Sequence, residues 1–278
     1  LTDPVLFRTY LIGLFCQTLM EQACVKSSQH RLDDWLIILK EHHILKSLGE
    51  EREAFERSLE LPTIPEMIFD QNSLSICFCQ PNNEQICKIE FNALDALKLV
   101  DPKNITIEVP FAKDWRDSRI TNQEDILPHK PYDWTFTTPY TGTLSGPWSI
   151  SPTSEGLDME YLRRKDPIRF FVNTTLYEDE LGDNGVSILN IKFRAMSSGF
   201  FLLQRFFLRI DGGLIRVYDT RLQWRQNDSY LIRDIRRMES SSWREDMVGI
   251  SLEIADQLCD TVIEHYTEKL VPPYVNSS

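Results

Sequence analysis

The residues best suited to metal chemistry are four carboxylates close together. Glu178, Asp179, Glu180 and Asp183 lie within the six residues 178–183, and carboxylate oxygens are ligands that hard divalent cations prefer. Such a group could serve a metal-dependent hydrolase. A strand that leaves the core and enters an acidic turn would give the same pattern, so the hydrolase is kept as the alternative function.

A second group of polar residues follows the period of a β-strand. Alternation in the run LIRVYDTRL places Val217, Asp219 and Arg221 on one face of a strand and Arg216 and Tyr218 on the other. Two opposite charges beside an apolar side chain are typical of a solvated surface or of the floor of a binding site. The period alone does not distinguish these two interpretations, and both stay open.

Other catalytic or cofactor-binding signatures are missing from the sequence. It contains neither GxxxxGK[ST] nor GxGxxG, neither GxSxG nor HExxH, and only 11 glycines. None of the five histidines has metal-ligand spacing, and the cysteines form no CxxC pair, which favours reduced thiols over a zinc site or a disulfide framework. We therefore expect a non-enzymatic protein with no catalytic residue, metal or cofactor; its cysteines are Cys16, Cys24, Cys77, Cys79, Cys87 and Cys259.

Charge and hydropathy limit the partners. Thirty basic against 42 acidic residues give a net charge of −12, which argues against nucleic acid and anionic membranes. The apolar residues 5–20 are interrupted by Arg8 and fall short of the ~20 residues that a membrane span needs. We expect a cytoplasmic protein that is monomeric on its own, in which the glycosylation-type sequons arise by chance; they begin at Asn104, Asn173, Asn227 and Asn276.

The elements that must position these residues are mostly β-strands. Residues 168–225 form one strand-like run after another, and Asp211-Gly212-Gly213 predicts a hairpin turn between the last two. Residues 130–140 show the strictest alternation, with Tyr132, Trp134 and Phe136 on one face. Further strands are predicted at residues 35–40, 42–46, 73–79, 85–91 and 105–110. Of these, the strands at residues 73–79 and 85–91 are predicted to form a hairpin.

Four helices are predicted beside these strands. Ser47 and Glu50 match a capping box, and Pro62 ends the helix that follows. Asn92 caps a short helix that has Asp95 at its third position, where a carboxylate offsets the positive helix end. The other two helices are predicted at residues 157–165 and 251–270, the latter from apolar residues at four-residue spacing, namely Ile254, Leu258, Val262, Tyr266 and Leu270.

The runs KPYDWTFTTPYTGTL (130–144) and FFLLQRFFLRIDGGLIRVYDTRL (200–222) resemble the TIPRL family, regulators of TOR signalling that bind type 2A phosphatases. The resemblance begins near Trp35 and is tightest over residues 61–225. It implies an α+β fold, a single domain rich in antiparallel β-strands with a few flanking helices, as the strand pattern also predicts. We expect the TIPRL-like domain at residues 32–270, an amino-terminal extension at 1–31 and a flexible tail at 271–278.

The resemblance also implies a function and a set of contact residues. The chain would bind catalytic subunits of type 2A-like serine/threonine phosphatases, with a cleft for their carboxyl-terminal tail, and would restrain or sequester them. Matched by motif, the partner-binding positions are Asp95, Leu157, Val217 and Asp219, and relatives carry a longer unbranched residue in place of Val217. Arg221 joins them because it shares the strand face of Asp219.

Overall fold

The computed structural model of the chain describes residues 26–103, 109, 111–119, 132–240, 242–244, 247 and 250–273. Its strands form two sheets in which every described pair of neighbouring strands is antiparallel. A few short helices flank the sheets. The predicted α+β class, a single domain rich in antiparallel strands, is confirmed.

The smaller sheet has five strands in the order β1-β2-β4-β5-β6. The predicted hairpin at residues 73–79 and 85–91 is present as β4 and β5, and the strand predicted at residues 35–40 is β2. The strands are β1 (Lys26–Leu32), β2 (Trp35–Glu41), β4 (Ser73–Cys79), β5 (Gln85–Asn92) and β6 (Thr143–Ser145).

The larger sheet has eight strands in the order β3-β8-β9-β10-β11-β12-β13-β7. The predicted hairpin at Asp211-Gly212-Gly213 joins β10 to β11. The strands are β3 (Met67–Ile68), β7 (Ser149–Pro152), β8 (Ile168–Asp179), β9 (Gly185–Met196), β10 (Gly199–Ile210), β11 (Ile215–Arg225), β12 (Leu231–Glu239) and β13 (Thr261–Val271).

Three of the short helices test a sequence prediction. The first begins after Gly49, which makes no side-chain cap, so the capping box predicted at Ser47 and Glu50 was wrong although the helix exists. Asn92 caps the second helix as predicted, by accepting from the backbone N–H of Asp95. The helices are α1 (Glu50–Arg57), α2 (Ala93–Leu97), α3 (Lys113–Arg119) and α4 (Met159–Arg163), and α4 lies inside the helix predicted at residues 157–165.

The main core lies between the two sheets. Trp35 of β2 is 2% exposed, and its ring lies 5.6 Å from that of Phe200 and 6.1 Å from that of Trp224, both in the larger sheet. Contacts of this kind between two inner faces bury much apolar area per residue. The core therefore joins the sheets into one two-layer unit.

A second, smaller core lies on the opposite face of the larger sheet, which we call the outer face. It contains the buried residues Phe207, Val217 and Met238, and it is covered by residues 250–259, which we call the outer segment. Ala255 of the outer segment is fully buried against this face. One half of the outer face is therefore covered by the chain itself.

Residues 130–140 were predicted as the clearest strand, and this prediction was wrong. The described residues 132–140 form no strand, and Phe136 has a φ of 55°. Their polar groups bond to side chains instead: the Tyr177 hydroxyl donates to the Phe136 carbonyl at 2.8 Å, and the Gln204 amide donates to the Tyr140 carbonyl at 2.7 Å. Tertiary hydrogen bonds thus replace a strand ladder here.

The helix predicted at residues 251–270 was also wrong. The segment forms a short 3-10 turn, Ala255–Leu258, followed by β13. Four-residue spacing of apolar side chains fits a strand as well as a helix because four is a multiple of two. Thr261, Val262, Ile263 and Tyr266 are residue types that favour strands, and they decide the outcome.

Residues 42–46 form no strand either. The backbone N–H of His42 donates to the Asn72 side chain at 2.7 Å, and that of Leu45 donates to the Ile68 carbonyl at 2.7 Å. The strand predicted at residues 105–110 falls largely outside the described residues, as do residues 5–20. Among the described residues, no helix is long and apolar enough to cross a membrane.

The structure describes residues at both predicted domain boundaries. At the carboxyl-terminal one, Val271 of the predicted tail is the last residue of β13. Residues 26–31, which the sequence analysis assigned to an amino-terminal extension, form most of β1 and pair with β2. The side chain of His30 stacks on Phe170 of β8, with ring centroids 5.5 Å apart. These residues therefore contact both sheets.

Candidate functional site

Val217, Asp219 and Arg221 lie on the outer face, as strand alternation predicts. Val217 is fully buried in the second core. The side chain has no solvent-exposed area, so in this conformation it supports the outer segment and does not present a surface.

Asp219 is buried as well and forms an ion pair with Arg205 of β10. Arg205 Nε lies 2.7 Å from Asp219 Oδ1, and Arg205 Nη2 lies 2.7 Å from Asp219 Oδ2. The two side chains are 7% and 4% exposed. A bidentate pair of this kind fixes the geometry of both groups.

Arg205 also holds the outer segment. Its Nη1 donates to the Leu252 carbonyl at 2.8 Å and to Asp256 Oδ1 at 3.1 Å. Burial on its own lowers the pKa of the Arg205 guanidinium, but hydrogen bonds and charge interactions with Asp219 and Asp256 outweigh burial and raise that pKa above its ordinary value. Asp219 therefore positions the outer segment through Arg205.

Arg221 lies beyond the outer segment and is half-buried. Its Nε donates to Asp234 Oδ1 at 2.9 Å, and the other Asp234 oxygen lies 2.9 Å from His265 Nε2. The side chain of Arg221 is 23% exposed and that of His265 is 49% exposed, whereas Asp234 is buried at 6%. Lys192, in the same cross-strand row as Arg221, is 31% exposed and pairs with Glu253. This half of the outer face is open and carries cationic groups.

Leu157 lies beside the cross-strand row of Arg221 and Lys192, because a backbone hydrogen bond of the next residue, Asp158, holds this segment there. The backbone N–H of Asp158 donates to Gln223 Oε1 at 2.7 Å, and Gln223 is the next side chain after Arg221 on the outer face. Leu157 itself is half-buried. It belongs to a segment of residues 149–163, which we call the strap, that pairs with β13 through β7.

Charged groups hold the strap on the larger sheet. Arg225 Nη1 lies 3.0 Å from Asp158 Oδ2, and Lys269 Nζ lies 2.7 Å from Glu155 Oε2. The Tyr230 hydroxyl also donates to Glu155, at 2.9 Å. These contacts tie Glu155 and Asp158 of the strap to β11, β13 and the turn before β12.

The pKa values of Glu155 and Asp158 lie below their ordinary values. For Glu155 the main cause is the hydrogen bond from Lys269, and for Asp158 it is the backbone N–H of Tyr161, followed by Arg225. A carboxyl group whose pKa is lower in the folded state stabilises the fold above its unfolded-state pKa and loses this effect as the pH falls through its folded-state pKa.

We therefore expect the free energy of unfolding to fall as the pH drops below about 4, the ordinary range of these carboxyl groups. Urea unfolding at pH 7, 5 and 3 measures it. Asp158→Asn keeps a side chain that caps α4 but removes the charge, so this variant should show a shallower loss between pH 5 and 3. An unchanged pH profile in Asp158→Asn and in Glu155→Gln would contradict this assignment.

Asp95 lies apart from the other four predicted residues. It follows β5 of the smaller sheet, is half-buried, and its Oδ2 accepts from Thr143 Oγ1 at 2.6 Å and from Asn92 Nδ2 at 3.0 Å. The structure thus groups Leu157, Val217, Asp219 and Arg221 on the larger sheet and places Asp95 in α2, which follows β5 of the smaller one.

The acidic segment 178–183 does not assemble a metal centre. Asp179 is buried and accepts from the backbone N–H groups of Leu181, at 2.7 Å, and Glu66, at 3.0 Å. In the part of the chain that the structure describes, no group of three or more His, Cys, Asp or Glu side chains could hold a metal ion. Asp179 acts here as a structural acceptor that ties the end of β8 to neighbouring backbone.

The described cysteines are poor nucleophiles. Burial raises the pKa of the Cys77 thiol to about 11 and that of the Cys87 thiol to about 12. Burial likewise raises the pKa of Cys259 to about 12. Because the thiolate is the reactive form, these side chains act as small core residues.

The partners that define the outer face were not predicted from the sequence. Arg205 could have been found, since a hairpin centred on Gly212 places residues 205 and 219 opposite each other. Asp234 and His265 could not, because β12 was not predicted and β13 was predicted as a helix. The outer segment has no local signal that indicates which face it covers.

Comparison with known proteins identifies the family. The model of the TIP41-like family matches residues 67–245. A human TIP41-like protein is 42% identical over 77% of this chain and 78% of its own length. The type 2A phosphatase activator TIP41 of Saccharomyces cerevisiae is 41% identical over 75% of this chain and 62% of its own. The Schizosaccharomyces pombe activator of the same name is 32% identical over 74% and 80%.

The family match covers more than half of the chain. This match agrees with the resemblance of residues 130–144 and 200–222 to the TIPRL family. The chain belongs to the TIP41-like family.

Proposed function

We propose that the chain is a non-enzymatic regulator that binds catalytic subunits of type 2A-like serine/threonine phosphatases, restrains or sequesters them, and acts in TOR signalling in the cytoplasm. Two relatives named as type 2A phosphatase activators support the phosphatase link. Regulation would follow from occupancy; among the described residues, no group of three or more His, Cys, Asp or Glu side chains could hold a catalytic metal ion.

The observation that carries this proposal is the division of the outer face. At Val217 and Asp219 it is covered by the outer segment, and at Arg221 it is open between that segment and the strap. We infer that a partner touches the open half and the exposed surface of the outer segment, where Ile254 is 44% exposed. Val217 and Asp219 would contribute by holding that segment in place.

The open half is suited to an acidic chain end. Arg221 and Lys192 bring a guanidinium and an ammonium group to one region of the outer face, where they pair with Asp234 and Glu253. A carboxylate brought close to an arginine forms charge-assisted hydrogen bonds that also set orientation. We infer that the carboxyl-terminal tail of the phosphatase subunit lies here.

Asp95 lies apart from the outer face, so it tests the separate partner contact that the TIPRL resemblance implies, and its side chain is only half-buried. We expect Asp95→Leu to weaken capture of a purified type 2A catalytic subunit by about tenfold or more, as for residues that dominate an interface. Immobilised chain and a dilution series of the subunit give the affinity. Circular dichroism and the unfolding midpoint verify that the variant is folded.

Asp117→Leu on α3 is the matched control, since it makes the same change at an exposed position. It should bind like the unaltered chain. Equal binding by all three proteins would remove Asp95 from the interface, and no capture by the unaltered chain would end the proposal itself.

The direction of regulation needs its own assay, because relatives are named activators whereas we propose restraint. Hydrolysis of a phosphopeptide by the catalytic subunit, measured with increasing amounts of this chain, separates the two. Falling activity supports restraint. Rising activity would show that the chain activates the subunit.

A further inference from the structure

A cavity at one end of the two-layer fold lies outside the site described above. It has a volume of about 340 Å³ and lies where the β1–β2 turn, the β11–β12 turn and the residues after β13 meet. This volume is at the lower end of the range of ligand pockets, roughly 300–1,000 Å³. Ten residues line it, among them Asp33, Asp34, Trp35, Phe78, Trp224 and Asp228.

Aromatic side chains form the inner wall of this cavity. Trp35 and Trp224 are 2% and 4% exposed, and Phe78 packs edge-on against Trp35 with ring centroids 5.2 Å apart. The indole N–H of Trp224 donates to the Asp228 carbonyl at 2.9 Å. Since each wall group is held by its neighbours, the cavity is shaped before any ligand arrives.

The rim of the cavity is acidic. Asp33, Asp34 and Asp228 line it, and none of the ten lining residues is a lysine, arginine or histidine. Asp228 is paired with Arg225 at 2.8 Å. In the described part of the chain, the carboxylates of Asp33 and Asp34 have neither a hydrogen-bond donor nor a cation as partner, and nearby Arg31 is held by the Asp33 carbonyl and the Asn83 side chain.

We propose that this cavity binds an arginine side chain of a partner protein. The apolar stem would lie against the aromatic wall, and the guanidinium would lie at the two unpaired aspartates of the rim. Arginine suits this setting because its guanidinium is weakly hydrated, presents several donors to carboxylates and packs on aromatic rings. A cavity of this size admits one long side chain.

This binding site is separate from the outer face. Trp224 points into the main core between the sheets, whereas Arg221 and Gln223 lie on the outer face. One residue links the two regions: Arg225 pairs with Asp228 near the cavity and with Asp158 of the strap. The proposal therefore stands whether or not the outer face binds a phosphatase.

The test uses the full chain labelled with ¹⁵N at its tryptophan indoles. Acetyl-Gly-Arg-Gly-amide is titrated against it, and the same tripeptide with citrulline serves as the uncharged isostere. We expect the indole signals of Trp35 and Trp224 to shift saturably with the arginine peptide, and the citrulline peptide to leave them in place. Equal shifts with both peptides, or none with either, would overturn the proposal.

Two double variants locate the binding. Asp33→Asn with Asp34→Asn should weaken binding by about fivefold or more, as expected for the loss of two exposed charge pairs. Asp114→Asn with Asp117→Asn on α3 makes the same change in net charge and should alter the affinity by less than twofold. The same loss in both double variants would mean that overall charge, and not this cavity, attracts the peptide.

Discussion

Asp219→Ala is expected to lower the free energy of unfolding by about 3 kcal/mol. The substitution leaves Arg205, 7% exposed, without its bidentate partner. Removing one member of a buried ion pair costs about 3–5 kcal/mol, because the remaining charge is desolvated and unpaired. We expect the lower end of this range since Asp256 still contacts Arg205. Urea unfolding followed by circular dichroism measures the change.

The matched control replaces both charges. In Arg205→Met with Asp219→Leu, no buried charge is left unpaired, since Asp256, which loses Arg205, is 39% exposed, and apolar pairs of similar volume often match or exceed the stability of a buried ion pair. The double variant should therefore recover most of the lost free energy. A single variant within about 1 kcal/mol of the unaltered chain, or a double variant as unstable as the single one, would contradict this role of the pair.

This result bears on how Asp219 contributes to partner binding. Asp219→Asn keeps the shape of the side chain but also leaves Arg205 without a negative partner. If weaker phosphatase capture by this variant accompanies a lower unfolding midpoint, Asp219 acts by holding the outer segment. If capture falls while the midpoint is unchanged, Asp219 contacts the partner directly and the outer segment must move to admit it.

The parts of the fold that the sequence could predict are those that local residues determine. The turn at Asp211-Gly212-Gly213 fixes the register of β10 and β11, and Asn92 determines where α2 begins. Both depend on residues adjacent in sequence. Alternation then correctly places Val217, Asp219 and Arg221 on one face.

Burial of these three residues could not be predicted in the same way. Alternation gives a common face but not what covers it, and the outer segment comes from residues 250–259, far along the chain. The sequence therefore left open whether Asp219 is solvated or part of a binding floor. The structure shows a third arrangement, an acid buried with an arginine beneath the chain's own segment.

Residues 132–140 show how tertiary contacts override a local pattern. The alternating side chains favour a strand, yet both sets are buried: Trp134 and Phe136 on one hand, Asp133 and Thr135 on the other. Their backbone groups bond to side chains of three other elements, including Tyr177, Ser187 and Gln204. Such partners are distant in sequence, so no local signal predicts them.

Trp35 connects the two sheets, and Trp35→Ala is expected to lower the free energy of unfolding by about 3–5 kcal/mol. Its ring lies within 5.2 to 6.3 Å of Phe78, Phe200, Trp224 and Trp148. Truncation would remove these contacts and leave a cavity that rigid strands on both sides cannot fill. Circular dichroism during urea unfolding measures the loss, and a single transition with an unchanged slope shows that both sheets still unfold together.

Trp115→Ala is the matched control for this prediction, because Trp115 on α3 is half-buried and stacks on Phe111 at 4.6 Å. Trp115→Ala should lower the free energy of unfolding clearly less than Trp35→Ala does, since Trp115 buries less apolar area on folding. Equal losses would mean that burial does not set the contribution of these tryptophans. Two separate transitions in Trp35→Ala would mean that the smaller sheet unfolds on its own once its aromatic contact with the larger sheet is removed.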